Sequence, residues 1–261
     1  MRVVILCGGA GTRLREETEF RPKPLVEIGG RPIIWHIMKL YAHYDFRDFI
    51  LCLGYRGNMI KEYFLNYEAM SNDFTIKIGA DRKLEYHGLD VADDYKVTLV
   101  DAGLNAQTGT RIKRVEHYID GDDFMVTYGD GLSDIDLNAL VAFHRAHGRI
   151  ATVTVSANQS RFGVVNVKAD GTVAAFTEKP KTDDWINAGF FIFKREFLHY
   201  LTDDDSCILE REPLQKAAAD GQLMAYRHQG FFYAMDTPKE HAYLNELWRS
   251  GHVPWAVWRN T

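Results

Sequence analysis

Only three cysteines occur in the 261 residues, Cys7, Cys52 and Cys207. Three cannot build a disulfide framework, and Cys7 and Cys52 sit inside apolar runs, so both read as reduced core residues. Basic charge is not in excess either: 31 lysines and arginines against 36 acidic residues leave a formal charge of −5. This excludes the basic face that a nucleic-acid partner would need, and any phosphate ligand must be held by a few placed groups. No apolar run reaches the length of a membrane span. The run at 3–7 passes straight into glycines, unlike a signal peptide, so a cytoplasmic protein with no membrane partner is expected. Internal repeats and low-complexity linkers are missing as well. What is present is an ordinary globular composition on a chain long enough to bury a full core.

Short β-branched or apolar runs at 3–7, 49–53, 97–100, 124–128 and 150–155 read as buried strands. Between them lie helical patterns. Ile33, Ile34, Ile37, Met38 and Tyr41 share one face after Pro32, and Met59, Ile60, Tyr63, Phe64 and Tyr67 share another. Further helices are expected over 112–118 and 137–144. Strand alternating with helix predicts an α/β protein with a mixed, mostly parallel central sheet flanked by helices. After about residue 156 the pattern changes: 163–167 and 173–176 around Ala169-Asp170-Gly171 predict a hairpin, and 190–193 a further strand. Thr237-Pro238-Lys239-Glu240 combines a capping threonine, a first-turn proline and a capping-box glutamate, so a helix should start there. The expectation is one domain over 1–261, with the two parts, about 1–156 and about 157–261, sharing one sheet.

Chemistry concentrates at strand ends. Gly8-Gly9-Ala10-Gly11-Thr12-Arg13 follows the first strand directly, where glycines let backbone N–H groups approach phosphates. The segment lacks the last glycine of a dinucleotide fingerprint, and no Gly-Lys-Ser/Thr follows as a P-loop requires. Pro22-Lys23-Pro24 holds Lys23 on a stiff, extended stretch and, with Arg13, offers two cations suited to phosphoryl transfer. Tyr128-Gly129-Asp130-Gly131 ends the central strand with a carboxylate placed for Mg²⁺, which takes one or two carboxylates plus phosphate oxygens. Asp236, just before the capped helix, is the second candidate. Glu178-Lys179-Pro180 and Asn187-Ala188-Gly189 flank later strands, where Glu and Asn can bind sugar hydroxyls and Lys179 a sugar phosphate.

Other features carry no chemistry. His144 and His147 lack companion ligands and read as a surface pair. Asp203-Asp204-Asp205 reads as a solvated loop, and Phe231-Phe232-Tyr233 as a core strand. No Gly-x-Ser-x-Gly elbow supports a covalent nucleophile.

The residues Gly8 to Leu14, with Pro22-Lys23-Pro24 and Ile28-Gly29-Gly30-Arg31-Pro32-Ile33, resemble the signature of the sugar-nucleotide pyrophosphorylases. Trp35-His36-Ile37-Met38, Gly54-Tyr55-Arg56-Gly57, Lys61-Glu62-Tyr63-Phe64, Tyr128-Gly129-Asp130-Gly131, Arg161-Phe162-Gly163 and Met235-Asp236-Thr237 resemble the branch that joins CTP to glucose 1-phosphate. The resemblance implies a Rossmann-like nucleotidyltransferase fold with a small sugar-binding β subdomain, and a reaction of CTP with α-D-glucose 1-phosphate giving CDP-glucose and pyrophosphate. It implies nucleotide contacts from Leu6, Gly8, Gly9, Gly11, Thr12, Arg13, Lys23, Arg111, Tyr128 and Gly129. Sugar-phosphate contacts fall to Gly163, Glu178, Lys179 and Asn187, and Mg²⁺ to Asp130 and Asp236, with Arg13, Lys23 and Asp130 as catalytic residues. It also implies a homo-oligomer, with a hexamer as the expected assembly. Ala106, where a hydroxyl is expected, and Ala188, where glycine is usual, depart from the pattern. The residues leave open dTTP or UTP in place of CTP, another sugar 1-phosphate, and a non-catalytic regulatory subunit on the same fold.

Overall fold

All four side chains of residues 3–6 are buried, yet successive ones enter different cores. Val3 and Ile5 join one cluster, Val4 and Leu6 the other. The same alternation divides Phe49 and Leu51 from Ile50 and Cys52, and Phe190 and Ile192 from Phe191 and Phe193. Strands apolar on both faces must be covered on both faces, which demands a helical layer on each side. The computed structural model describes residues 1–87, 94–159, 164–167, 172–177 and 181–259.

Seven strands form the main sheet: β1 (Val3–Leu6), β2 (Asp48–Leu53), β3 (Lys96–Asp101), β4 (Asp123–Tyr128), β5 (Ala151–Gln159), β6 (Lys181–Lys194) and β7 (Leu223–His228). Their order is β7-β5-β6-β4-β1-β2-β3, with β4 at the centre. β6 runs antiparallel to β4 and β5, and every other pairing is parallel, so the sheet is mixed and mostly parallel as expected. The chain steps outward from β1 to β2 and β3, then returns across β1 to β4. Connections therefore diverge between β1 and β4, which leaves a crevice at their carboxyl ends.

Most predicted elements stand within a residue or two of their expected bounds, but the strand expected at 190–193 runs from Lys181 to Lys194 and takes in Asn187, which was expected to flank it. The helix Ile33–His43 buries Ile33, Ile34, Ile37, Met38 and Tyr41. Strands Val164–Val167 and Val173–Thr177 pair antiparallel as a separate ribbon; the turn at 169–171 lies outside the described residues. Further expectations about helices and burial need correction. The helix expected over 112–118 is Thr108–Arg114, followed by a distinct 3₁₀ turn, Glu116–Tyr118. Its first turn is set by tertiary contact, since the Cys207 carbonyl accepts from the N–H groups of Gly109 and Thr110. His144 is buried rather than superficial: its Nδ1 lies 2.7 Å from the Thr152 hydroxyl, which His147 Nε2 approaches at 2.8 Å. Burial outweighs the nearby Asp123 carboxylate and holds the His144 pKa down to about 4. The aromatic run at 231–233 yields a strand, Phe232–Ala234, that is only half-buried.

The C-terminal helix Pro238–Ser250 begins with the predicted capping box. Glu240 N donates to Thr237 Oγ1 at 3.4 Å, and Thr237 N donates to Glu240 Oε2 at 2.8 Å. Beyond the helix, Trp255 is 1% exposed and its Nε1 donates to Nδ1 of buried His36, so the tail is pinned to the first long helix. Replacing Thr237 by Ala should cost about 1 kcal/mol of stability. Urea unfolding would record it as a lower midpoint with an unchanged slope.

Candidate active site

Asp130 and Asp236 are brought together by the backbone. β4 ends at Tyr128, and the chain continues as the short strand Gly131–Ser133, which pairs antiparallel with Phe232–Ala234 so that Gly131 faces Ala234. Met235 N then donates to Asp130 O at 2.9 Å. On the other flank, Asp236 N donates to Glu240 Oε2 at 2.7 Å, so the helix cap also orients this aspartate. Two carboxylates held this close repel unless a cation stands between them.

Lys23 is that cation. Its Nζ donates to Asp130 Oδ2 at 2.6 Å and to Asp236 Oδ1 at 2.7 Å, while the second oxygen of Asp236 pairs with Arg13 at 3.1 Å. Lys23 opens a single 3₁₀ turn, Lys23–Leu25, rather than the extended stretch expected of it, because Val26 N folds back to Lys23 O. Burial works against its charge, but the Asp130 and Asp236 carboxylates outweigh burial and raise the Lys23 pKa above its ordinary value. The ammonium is thus kept at neutral pH.

The glycine turn forms the opposite wall. Gly11, at φ +61°, reverses the chain into the 3₁₀ turn Thr12–Leu14. Gly8 is required for another reason: a Cβ there would lie 1.6 Å from the Arg111 guanidinium. Arg111 is 5% exposed and donates to the carbonyls of Leu53 (2.9 Å), Gly8 (3.1 Å) and Leu104 (3.4 Å). It staples the ends of β1 and β2 to the loop 104–107. Burial draws its pKa below the ordinary value, yet a guanidinium remains charged. Leu6, Gly8, Gly9, Gly11, Thr12, Arg13, Lys23, Arg111, Tyr128, Gly129, Asp130 and Asp236 all line one cleft of about 650 Å³ at the β1–β4 crevice. Cys7 lines it too; burial pushes its thiol well above the ordinary value, so it is no nucleophile at neutral pH.

Asn187 is exposed, and its Nδ2 donates at 3.2 Å to the Oη of Tyr128, which lines the cleft. Gly163, Glu178 and Lys179 lie outside the described residues. Reasoning from sequence touched the wall at 104–108 only at Ala106 and missed its other residues and, behind them, Glu210. None of these stands in a glycine-rich or charged motif, and Glu210 comes from a segment about 100 residues later. The Asp203–Asp205 loop is exposed as expected, but Arg114 pairs with Asp203 at 2.6 Å and Asp205 at 3.0 Å.

The donor set suits a divalent metal. Two carboxylates already converge on one cation, Lys23 Nζ, and hard oxygen donors of this kind suit a divalent cation that takes its remaining ligands from phosphate and water. Among the described residues no cluster of three or more His, Cys, Asp or Glu side chains forms a complete protein cage. Among them, too, no helix is long and apolar enough to cross a membrane.

Residues 2–248 match the family model described as nucleotidyl transferase. The glucose-1-phosphate cytidylyltransferase of Salmonella typhimurium is 47% identical over 260 residues, covering 99% of this chain and all of that one. Among solved structures, HddC from Yersinia pseudotuberculosis shares the fold with a TM-score of 0.70 at 22% identity, over 95% of this chain and 99% of that chain. A UDP-glucose pyrophosphorylase complexed with UDP-glucose does so at 0.69 and 15%, over 96% and 98%.

Replacing Lys23 by Met leaves Asp130 without a cation and Asp236 with Arg13 alone. In the ligand-free protein this should cost about 2–3 kcal/mol, below the loss seen for fully buried partners because Asp130 is partly wet. The folded lysine value exceeds the unfolded one, so the contribution is complete at neutral pH and fades as pH climbs through the raised value. The double variant Lys23→Met/Asp130→Asn should regain most of the loss in thermal unfolding; equal stability of all three proteins would show the bridge to be inert.

Proposed function

The chain belongs to the nucleotidyl transferase family, and we propose that it transfers CMP from CTP to α-D-glucose 1-phosphate, giving CDP-glucose and pyrophosphate. The observation that carries this is likeness along the whole length, 47% over 99% of the chain, to a glucose-1-phosphate cytidylyltransferase. The cleft agrees with it chemically. It gathers a glycine turn, two cations and two carboxylates at the carboxyl ends of parallel strands.

An oxygen of the sugar 1-phosphate attacks the α-phosphorus of the triphosphate in line. The new P–O bond forms as the bond to the β-phosphate breaks, and pyrophosphate leaves with the electron pair. The nucleophile is already an anion, so no general base is needed, and catalysis rests on positioning and charge stabilisation. The turn from Gly8 to Thr12 and the guanidinium of Arg13 receive the triphosphate. Lys23, released from its carboxylates, neutralises charge on the phosphates. Arg111 holds the nucleotide wall at 104–108 in place through its carbonyl bonds. Asn187, with Glu178, Lys179 and Gly163, takes the sugar phosphate beside Tyr128. Nucleotidyltransferases of this family generally use a divalent metal; Mg²⁺ held by Asp130 and Asp236 would supply neutralisation of the triphosphate charge. On the same resemblance we extend the proposal to a homo-oligomer.

Pyrophosphate release should be fastest with CTP and glucose 1-phosphate among the four triphosphates and several sugar 1-phosphates. Equal or faster release with dTTP or UTP would reassign the base, and none with any pair would favour a regulatory subunit. Asp130→Asn should shift the Mg²⁺ titration of turnover to concentrations about tenfold higher or more, as expected when one of two carboxylate ligands loses its charge. An unchanged titration would remove Asp130 from the metal.

A further inference from the structure

Behind the cleft wall a chain of hydrogen bonds has a forced direction. Asn187 Oδ1 accepts from Gly189 N at 2.8 Å, so its Nδ2 is the end that faces Tyr128. Gly189 is locked beneath the phenol ring, since at φ +77° a Cβ there would come within 2.3 Å of it. The Tyr128 oxygen therefore accepts from Asn187 and must spend its proton elsewhere, and its partner is Glu210 Oε1. Burial, and then the Glu210 carboxylate, raise the Tyr128 pKa, so the phenol keeps its proton. The same logic runs from the other side. Thr108 Oγ1 accepts from Leu209 N at 2.9 Å and sends its proton to Glu210 Oε2 at 2.7 Å.

Both hydroxyls thus end on one carboxylate, each on its own oxygen. Thr108 and Tyr128 line the same cleft; on the function proposed above, Thr108 closes the loop on the nucleotide side, and the Tyr128 hydroxyl holds Asn187 on the sugar-phosphate side. Resting on the function proposed above, the geometry points to Glu210 as a positioning residue: the shared acceptor that sets the Thr108 wall and the Tyr128–Asn187 pair relative to each other, and so aligns the two substrates. It lines neither side itself. An isosteric glutamine cannot replace it. One oxygen would become an N–H donor facing a hydroxyl that is also a donor, and one of the two protons would lose its acceptor.

The test is steady-state pyrophosphate release by the full-length enzyme, with each substrate varied in turn. Glu210→Gln should raise KM by roughly tenfold for the substrate whose arm meets the new amide N–H, and Glu210→Ala, which removes both acceptors, KM for both CTP and glucose 1-phosphate, as for loss of a hydrogen bond to a charged group. Tyr128→Phe, which keeps the ring on the nucleotide and loses only the hydroxyl that holds Asn187, should raise KM for glucose 1-phosphate alone, and Thr108→Ala KM for CTP alone. Adding either to Glu210→Ala should bring no further rise in its own KM, because both bonds are already lost. A residue that only fills space would leave Glu210→Gln with wild-type KM values, and that result, or full additivity in the doubles, would overturn the role. Should either Glu210 variant fail to fold, the split between Tyr128→Phe and Thr108→Ala still decides, since equal effects on both KM values in each would contradict two arms meeting at one acceptor. A wild-type enzyme idle with CTP and glucose 1-phosphate would instead overturn the substrate assignment.

Discussion

An ammonium between two carboxylates organises the cleft. Lys23 meets Asp130 and Asp236 across 107 and 213 residues of sequence, at 2.6 and 2.7 Å. Neither aspartate could be placed so near the other without a positive charge between them, and burying an ion pair brings stability only when its geometry is good. The three groups therefore specify one another. Before any ligand arrives, the protein satisfies with its own lysine the demand that a phosphate-bound cation would otherwise meet.

The surroundings of this triad exist largely to hold it. A four-residue parallel strand with apolar residues on both faces fixes the start of the glycine turn, and β4 beside it fixes Asp130. The short ribbon of Gly131–Ser133 with Phe232–Ala234 carries the chain back so that residue 236 falls next to residue 130. The capping box then serves twice, starting a helix and turning the Asp236 backbone through Glu240. Arg111 performs the matching task on the other wall, where a buried guanidinium gathers three carbonyls from three strand-end loops. The Glu210 carboxylate does so again one layer further back. Each is a charge-assisted hydrogen-bond centre joining segments that local structure leaves independent.

Much of the fold was legible because its signals are local. Strands buried on both faces announce themselves as continuous apolar runs, and helices such as Ile33–His43 by a 3.6-residue stripe. The expectation failed where long-range contacts overrode local pattern. Residues 108–111 carry no apolar stripe, yet they are helical because the Cys207 carbonyl receives their N–H groups. His144 completes the buried stripe of Leu137, Leu140 and Val141 on its helix, but its polar ring disguised that place, and Thr152 of β5 supplies its partner.

From the amino-acid order alone came the strand ends, the glycine turn, the constrained lysine between two prolines and the two aspartates, because each is a short motif whose backbone requirement is written into its neighbours. Tertiary structure decided what these residues do to one another. That Lys23 bridges both acids, that Gly8 is small to admit Arg111, and that Tyr128 and Thr108 share Glu210 all depend on contacts between segments far apart in the chain. Hydrogen bonds act over about 3 Å, and only the folded sheet determines which distant residues come that close.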